Sequence, residues 1–154
     1  TRPFIVKTDK SEVQVLGTKF SVFDYKTTNI FETSVKEGSV RVWDNAHTQE
    51  VVLKPNQKAV FRDQELIKEE GLKTAFEWQK GVLIFDDKPL VQVLELLGAY
   101  YGKNIKLENE KAMSYRCSPK FLYNDGLDYI LKILQNDVSF TIQRDDSKNL
   151  IVLM

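Results

Sequence analysis

Among its 154 residues the chain has one cysteine and one histidine. Cys117 alone closes no intramolecular disulfide, and one Cys with one His falls short of the roughly four ligands of a structural zinc site. Charge of one sign is also lacking. With 22 Lys+Arg against 22 Asp+Glu, the net charge is zero, so the basic footprint that phosphate-backbone binding requires is missing and nucleic acid is not an expected partner. The unbroken apolar runs, Val82 to Phe85 and Leu150 to Met154, fall far below the roughly 20 residues of a membrane-spanning helix. There is no initiator Met and no basic-then-apolar leader, which predicts a processed product or an excised piece of a longer protein.

What is present begins with period-two alternation. Phe4 and Val6, Val13 and Val15, Phe20 and Val22, Phe31, Thr33 and Val35, Val40 and Val42, Val52, Ala59 and Phe61, and Leu66 mark eight short strands. Turn chemistry separates them: Asp9-Lys10-Ser11, Gly17-Thr18, Lys36-Glu37-Gly38, Asp44-Asn45, Pro55-Asn56 and Arg62-Asp63. The pattern predicts an all-β, hairpin-linked unit that ends near Glu69-Glu70-Gly71.

Beyond the break the period lengthens. A strand over Val82 to Phe85 leads to a helix with Asp87 as expected cap, Pro89 in its first turn and Leu90, Val93, Leu94, Leu97 and Tyr101 on one face, ending at Gly102. Asn104 to Leu107 reads as a strand, and so does Tyr115 to Phe121. A second helix, capped by Asn124, presents Leu127, Ile130, Leu131 and Leu134. Val138 to Gln143 and Leu150 to Leu153 close the chain as a hairpin through Asp145-Asp146-Ser147. Both helices read L-x-x-[VI]-L-x-x-L, which predicts a duplicated strand-helix-strand unit.

Catalytic chemistry finds no constellation. His47 sits in the polar tip Asn45 to Gln49 and reads as a solvated loop residue; Cys117 alternates with Arg116 and Ser118 and reads as an inward apolar filler. The pair Asp86-Asp87 suits a helix start and Asp145-Asp146 a hairpin tip. No Walker loop, dinucleotide fingerprint, serine elbow or calcium loop occurs. No catalytic, metal or cofactor residue is therefore assigned, and neither an enzyme nor a small-molecule substrate is expected.

Taken in order, the motifs resemble a known family. Pro3-Phe4-x-Val6-x-Thr8, Val13-x-Val15-Leu16-Gly17-Thr18-x-Phe20-x-Val22, Val35-x-Glu37-Gly38-Ser39-Val40-x-Val42 and Leu53-x-Pro55-Asn56-Gln57-x-Ala59 resemble the periplasmic β-domain of FecR-type anti-sigma regulators. Trp78-x-x-Gly81-x-Leu83-x-Phe85-x-Asp87-x-Pro89-Leu90-x-x-Val93-Leu94 is similar to the junction into that family's C-terminal domain. That domain in turn is similar to the secretin and TonB short N-terminal (STN) fold. Asn56 stands where the family's turn has glycine, and it too enters the left-handed region comparatively easily.

The resemblance implies an α+β chain of two domains: an all-β FecR-like domain over 1–74, short of strands at its N-terminus, a junction over 75–81 carrying Trp78 and Gly81, and a βαβ-βαβ STN-like domain over 82–154. It implies a periplasmic region of a single-pass inner-membrane protein whose membrane segment lies outside this chain. The implied partners are the periplasmic signalling domain of a TonB-dependent outer-membrane receptor and, through a missing cytoplasmic segment, an extracytoplasmic-function sigma factor. A homodimer through an exposed sheet edge is left open.

Pro119 places Tyr115 to Phe121 at an edge, because proline donates nothing to an interior ladder. Its outward Arg116, Ser118 and Lys120 are then the expected partner-binding residues, by strand addition. Leu150, Val152 and Met154 of the last strand form a second candidate, weighed against burial. The alternative reading, a periplasmic structural or glycan-binding module, predicts an open aromatic platform at Trp43 or the tyrosines; the relay predicts a buried Trp43.

Overall fold

Alternating apolar residues make strands because successive side chains leave a strand on opposite faces, so one row is buried while the other meets water. The computed structural model describes residues 2–25, 30–72 and 74–154. The chain divides into two units, Thr1–Phe76 and Glu77–Met154. Each is described separately.

The first unit contains β1 (Phe4–Lys7), β2 (Ser11–Val15), β3 (Lys19–Asp24), β4 (Phe31–Glu37), β5 (Val40–Asp44), β6 (Glu50–Leu53), β7 (Gln57–Arg62) and β8 (Glu65–Glu70). They form two antiparallel sheets, β1-β2-β5-β6 and β3-β4-β7-β8. Val13, Val15, Val40, Val42 and Leu53 of one sheet share a core with Phe31, Val35, Ala59 and Leu66 of the other. Each of these Val, Leu and Phe side chains contributes about 1.5–3 kcal/mol by leaving water. Asn56 takes φ 69°, so the turn where the family has glycine survives with Asn in the left-handed region.

At one end of this unit Lys10, in the β1–β2 turn, forms an ion pair with Asp24 at the end of β3, tying one sheet to the other. The Asp24 side chain is 2% exposed, and its Oδ2 has no hydrogen-bond partner among the described residues. On the outer face of the first sheet, Lys7, Glu12, Trp43 and Glu50 stand side by side across four strands.

The second unit opens with a short 3-10 turn, Glu77–Lys80, followed by β9 (Val82–Ile84), β10 (Lys88–Pro89) and α1 (Leu90–Tyr101). Then come β11 (Asn104–Leu107), α2 (Glu110–Met113), β12 (Arg116–Cys117), β13 (Lys120–Leu122), α3 (Leu127–Asp137), β14 (Ile142–Asp145) and β15 (Leu150–Leu153). Strands β9 and β13 pair, as do β10 and β12; β15 lies between β11, which it meets in parallel, and β14. The helix faces expected from sequence are buried: Leu90, Val93, Leu94 and Leu97 in α1, and Leu127, Ile130, Leu131 and Leu134 in α3.

Several local expectations are corrected. Asp87 does not cap α1: its N-cap is Pro89, without a side-chain bond, and the Asp87 carboxylate is taken by Arg116. Asn124 does not cap α3 either, because it lies inside a 3-10 turn and Gly126 holds the N-cap position. Tyr115 to Phe121 is two short strands, β12 and β13, broken around Ser118-Pro119. The strand expected from Val138 begins only at Ile142, since the Val138 amide still donates to Leu134 in the helix. Each helix also links strands of different sheets instead of crossing over within one sheet.

The C-terminus of α1 shows how close the backbone runs. Gly102 takes φ 64°, and the Lys103 amide donates back to the Gly98 carbonyl at 2.8 Å. A Cβ on Gly98 would stand 2.5 Å from the Lys103 carbonyl oxygen, so only glycine fits this helix position.

Candidate protein-interaction site

Residues 82–90 and 115–123 run antiparallel as one long ribbon. Leu122, Phe121 and Lys120 face Val82, Leu83 and Ile84; Cys117 and Arg116 face Lys88 and Pro89. Between these two stretches the Phe85 amide donates to the Pro119 carbonyl at 3.0 Å, and beyond them the Leu90 amide donates to Tyr115 at 2.8 Å and the Tyr123 amide to Gly81 at 2.8 Å. Three steps from Phe85 to Lys88 match two from Pro119 to Cys117, which makes a β-bulge. Asp87, at φ 42°, sits in it.

The bulge is fastened by side chains. Arg116 Nε donates to Asp87 Oδ1 at 2.8 Å and Nη2 to Oδ2 at 3.1 Å, and Nη2 also reaches the Asp87 carbonyl. The Asp87 amide donates to Ser118 Oγ at 2.9 Å. The hydrogen bond from Arg116 holds the Asp87 carboxyl below its ordinary range, and Asp87 raises Arg116 in return. Two of the three expected partner-binding side chains, Arg116 and Ser118, are thus engaged within the ribbon itself.

Lys120 is exposed and forms no ion pair among the described residues. In the antiparallel alternation, Tyr115, Pro119 and Tyr123 direct their backbone groups at the other strand, so Arg116, Ser118, Lys120 and Leu122 direct theirs away from it. Neither β12 nor β13 has a second strand partner among the described residues. One backbone edge therefore stays open.

At the end of that edge Leu122 is 52% exposed and Tyr123 41%. The Tyr123 ring stacks on Tyr101 at 4.8 Å between centroids, with only 6° between planes. Tyr101 donates its hydroxyl to the Tyr123 carbonyl at 2.6 Å, and burial raises its phenol above the ordinary value, with Tyr123 and Asp125 adding to the effect. Sequence reading missed Leu122 and these two tyrosines. Leu122 extends the outward series Arg116, Ser118, Lys120 by one more step of two, and that was the available signal.

The second candidate set lies elsewhere in this unit. Leu150 and Val152 are half-buried on one face of β15 while Ile151 and Leu153 are buried on the other; Met154 exchanges backbone hydrogen bonds with Thr141. Because β15 is the central strand, its backbone is paired on both sides. Trp78 is 43% exposed in the opening 3-10 turn, and its carbonyl accepts from the Gly81 amide at 2.9 Å.

In the first unit, Trp43 is neither core nor open platform. It is half-buried, with the Arg41 guanidinium 5.6 Å from its ring centre, the His47 ring stacked at 5.5 Å, and its Nε1 donating to Glu50 at 3.1 Å. His47 is correspondingly more than a solvated loop residue, since its Nε2 also lies 3.7 Å from a Glu12 carboxylate oxygen. Cys117 is half-buried, and burial raises its thiol, with Asp137 adding to the effect, away from nucleophilic character. No group of three or more His, Cys, Asp or Glu that could hold a metal ion occurs among the described residues. No helix among them is long and apolar enough to cross a membrane.

These features define a mostly-β chain of α+β class, with three α-helices and an exposed strand edge among the described residues. Residues 82–152 match the family model described as FecR, C-terminal. The C-terminal unit is thus similar to the FecR family over nearly all of its length. The chain is also similar to two crystal structures of a "putative anti-sigma factor" from Parabacteroides distasonis ATCC 8503. The 1.65 Å structure matches with TM-score 0.79 and 25% identity over 99% of this chain and 71% of that one. The 2.50 Å structure matches with TM-score 0.78 and 26% identity over 99% and 70%. No curated protein matches the sequence.

Proposed function

We infer that the chain is the extracytoplasmic relay region of a FecR-type anti-sigma regulator, with a regulatory and not a catalytic role. Its C-terminal unit, STN-like in kind, binds the periplasmic signalling domain of a TonB-dependent outer-membrane receptor. The regulator spans the inner membrane once, outside this chain, and its cytoplasmic segment controls an extracytoplasmic-function sigma factor. The match of residues 82–152 to the FecR C-terminal model and the likeness to the P. distasonis protein support the class of this reading.

The observation that carries it is the open strand edge of residues 116–122, a surface on which another protein can add a strand. Trp43, flanked by Arg41 and His47, supplies no comparable open platform for a glycan. Pull-down with a receptor signalling domain tests the reading, comparing wild type, Arg116→Glu/Lys120→Glu, and Leu127→Asp as the folding control. Retention by wild type and loss in the double variant is expected. Absence of wild-type binding overturns the reading; full binding by the double variant overturns the site.

A further inference from the structure

Outward along the open edge, the side chains alternate in one row. Lys120 and Leu122 project from the same face as their cross-strand neighbours Ile84 and Val82, while Phe121 and Leu83 are buried on the other. The row thus offers one cation that has no ion pair among the described residues beside three apolar side chains.

The backbone offers a matching pattern. The Lys120 amide and carbonyl both face the open edge, whereas the Leu122 amide is already taken by Asp125 Oδ2 at 3.3 Å. An incoming strand can therefore exchange a pair of hydrogen bonds at Lys120 and accept none at the Leu122 amide, which fixes its register and ends the pairing there.

We propose that the occupant of this edge is an extended strand of a protein partner, carrying an acidic residue opposite Lys120 and a large apolar residue two positions away, against Leu122 and its neighbour Val82. Charge complementarity at Lys120 selects the acid, and the strand period of two places the apolar residue. The proposal rests on the relay reading and specifies the kind of segment the partner contributes.

The test uses the full chain and a synthetic peptide of alternating Thr and Val in which one Glu stands two positions before one Leu. Amide chemical-shift changes confined to residues 118–123, with binding weakened about fivefold by Lys120→Glu and recovered when the peptide's Glu becomes Lys, are expected. Lys120→Pro removes the outward amide at a position that makes no ladder bond, and it abolishes binding while the remaining spectrum keeps its dispersion.

Shifts elsewhere, no shifts at any peptide concentration, or equal binding by Lys120→Glu overturns the proposal. A dimer that forms without peptide and is lost in Lys120→Pro also overturns it, since a second copy then fills the edge. A receptor signalling domain that binds wild type and Lys120→Pro equally leaves the relay reading standing and removes this inference alone.

Discussion

Arg116 clasps Asp87 across the bulge of the ribbon, two guanidinium nitrogens on two carboxylate oxygens, and thereby holds the backbone turn that leads into α1. A bidentate pair of this kind fixes geometry more than it adds stability at an exposed position.

The carboxyl of Asp87 should accordingly titrate below an ordinary aspartate in the folded chain, chiefly through the hydrogen bond from Arg116. In Arg116→Ala its midpoint should rise toward the ordinary range. Carbon-detected NMR titration reads both, and an unchanged Asp87 midpoint would show that the clasp is not formed in solution.

Gly98→Ala should destabilise the chain by about 1–3 kcal/mol, because the new methyl meets the Lys103 carbonyl oxygen at 2.5 Å. Helix propensity alone predicts the opposite sign. Urea unfolding therefore separates the two effects, with a gain in stability refuting the close approach.

Lys10→Met removes the cation that Asp24, 2% exposed, pairs with, at a cost of about 3 kcal/mol. Lys10→Met/Asp24→Leu should recover most of that loss. A double-mutant cycle measured by denaturant unfolding, giving additive losses instead, would show that the two side chains do not interact.

Asp44 gives the first unit part of its acid sensitivity. The Gln49 amide, then the Thr48 hydroxyl and amide, hold its carboxyl below the usual range. The unfolded chain thus binds the proton first, so the stabilisation is complete above about pH 4 and is lost as pH falls through the lower folded value. Asp44→Asn should flatten the fall in Tm across that acid window while lowering Tm at neutral pH.

Much of this was legible because periodicity reports which residues leave water. The eight strands of the first unit follow from alternation, and the buried faces of α1 and α3 follow from the 3,4 spacing of their leucines. The outward row Arg116, Ser118, Lys120 was readable for the same reason, and Pro119 correctly placed its segment at an edge. The caps were not readable. Asp87 has the right chemistry for a cap at the right distance from α1, and only the approach of Arg116, 29 residues away in sequence, turns its carboxylate elsewhere.

Side-chain type and spacing therefore determined most of the elements and the buried faces, since burial of apolar surface depends on local pattern. Strand pairing was decided by the tertiary structure. Whether Tyr115 to Phe121 formed one strand or two, which of its edges stayed open, and whether Lys120 found a counter-ion all depend on groups distant in the chain. Backbone hydrogen bonds and charge pairs are satisfied by whatever the fold brings within about 3 Å, and no local pattern encodes that neighbour.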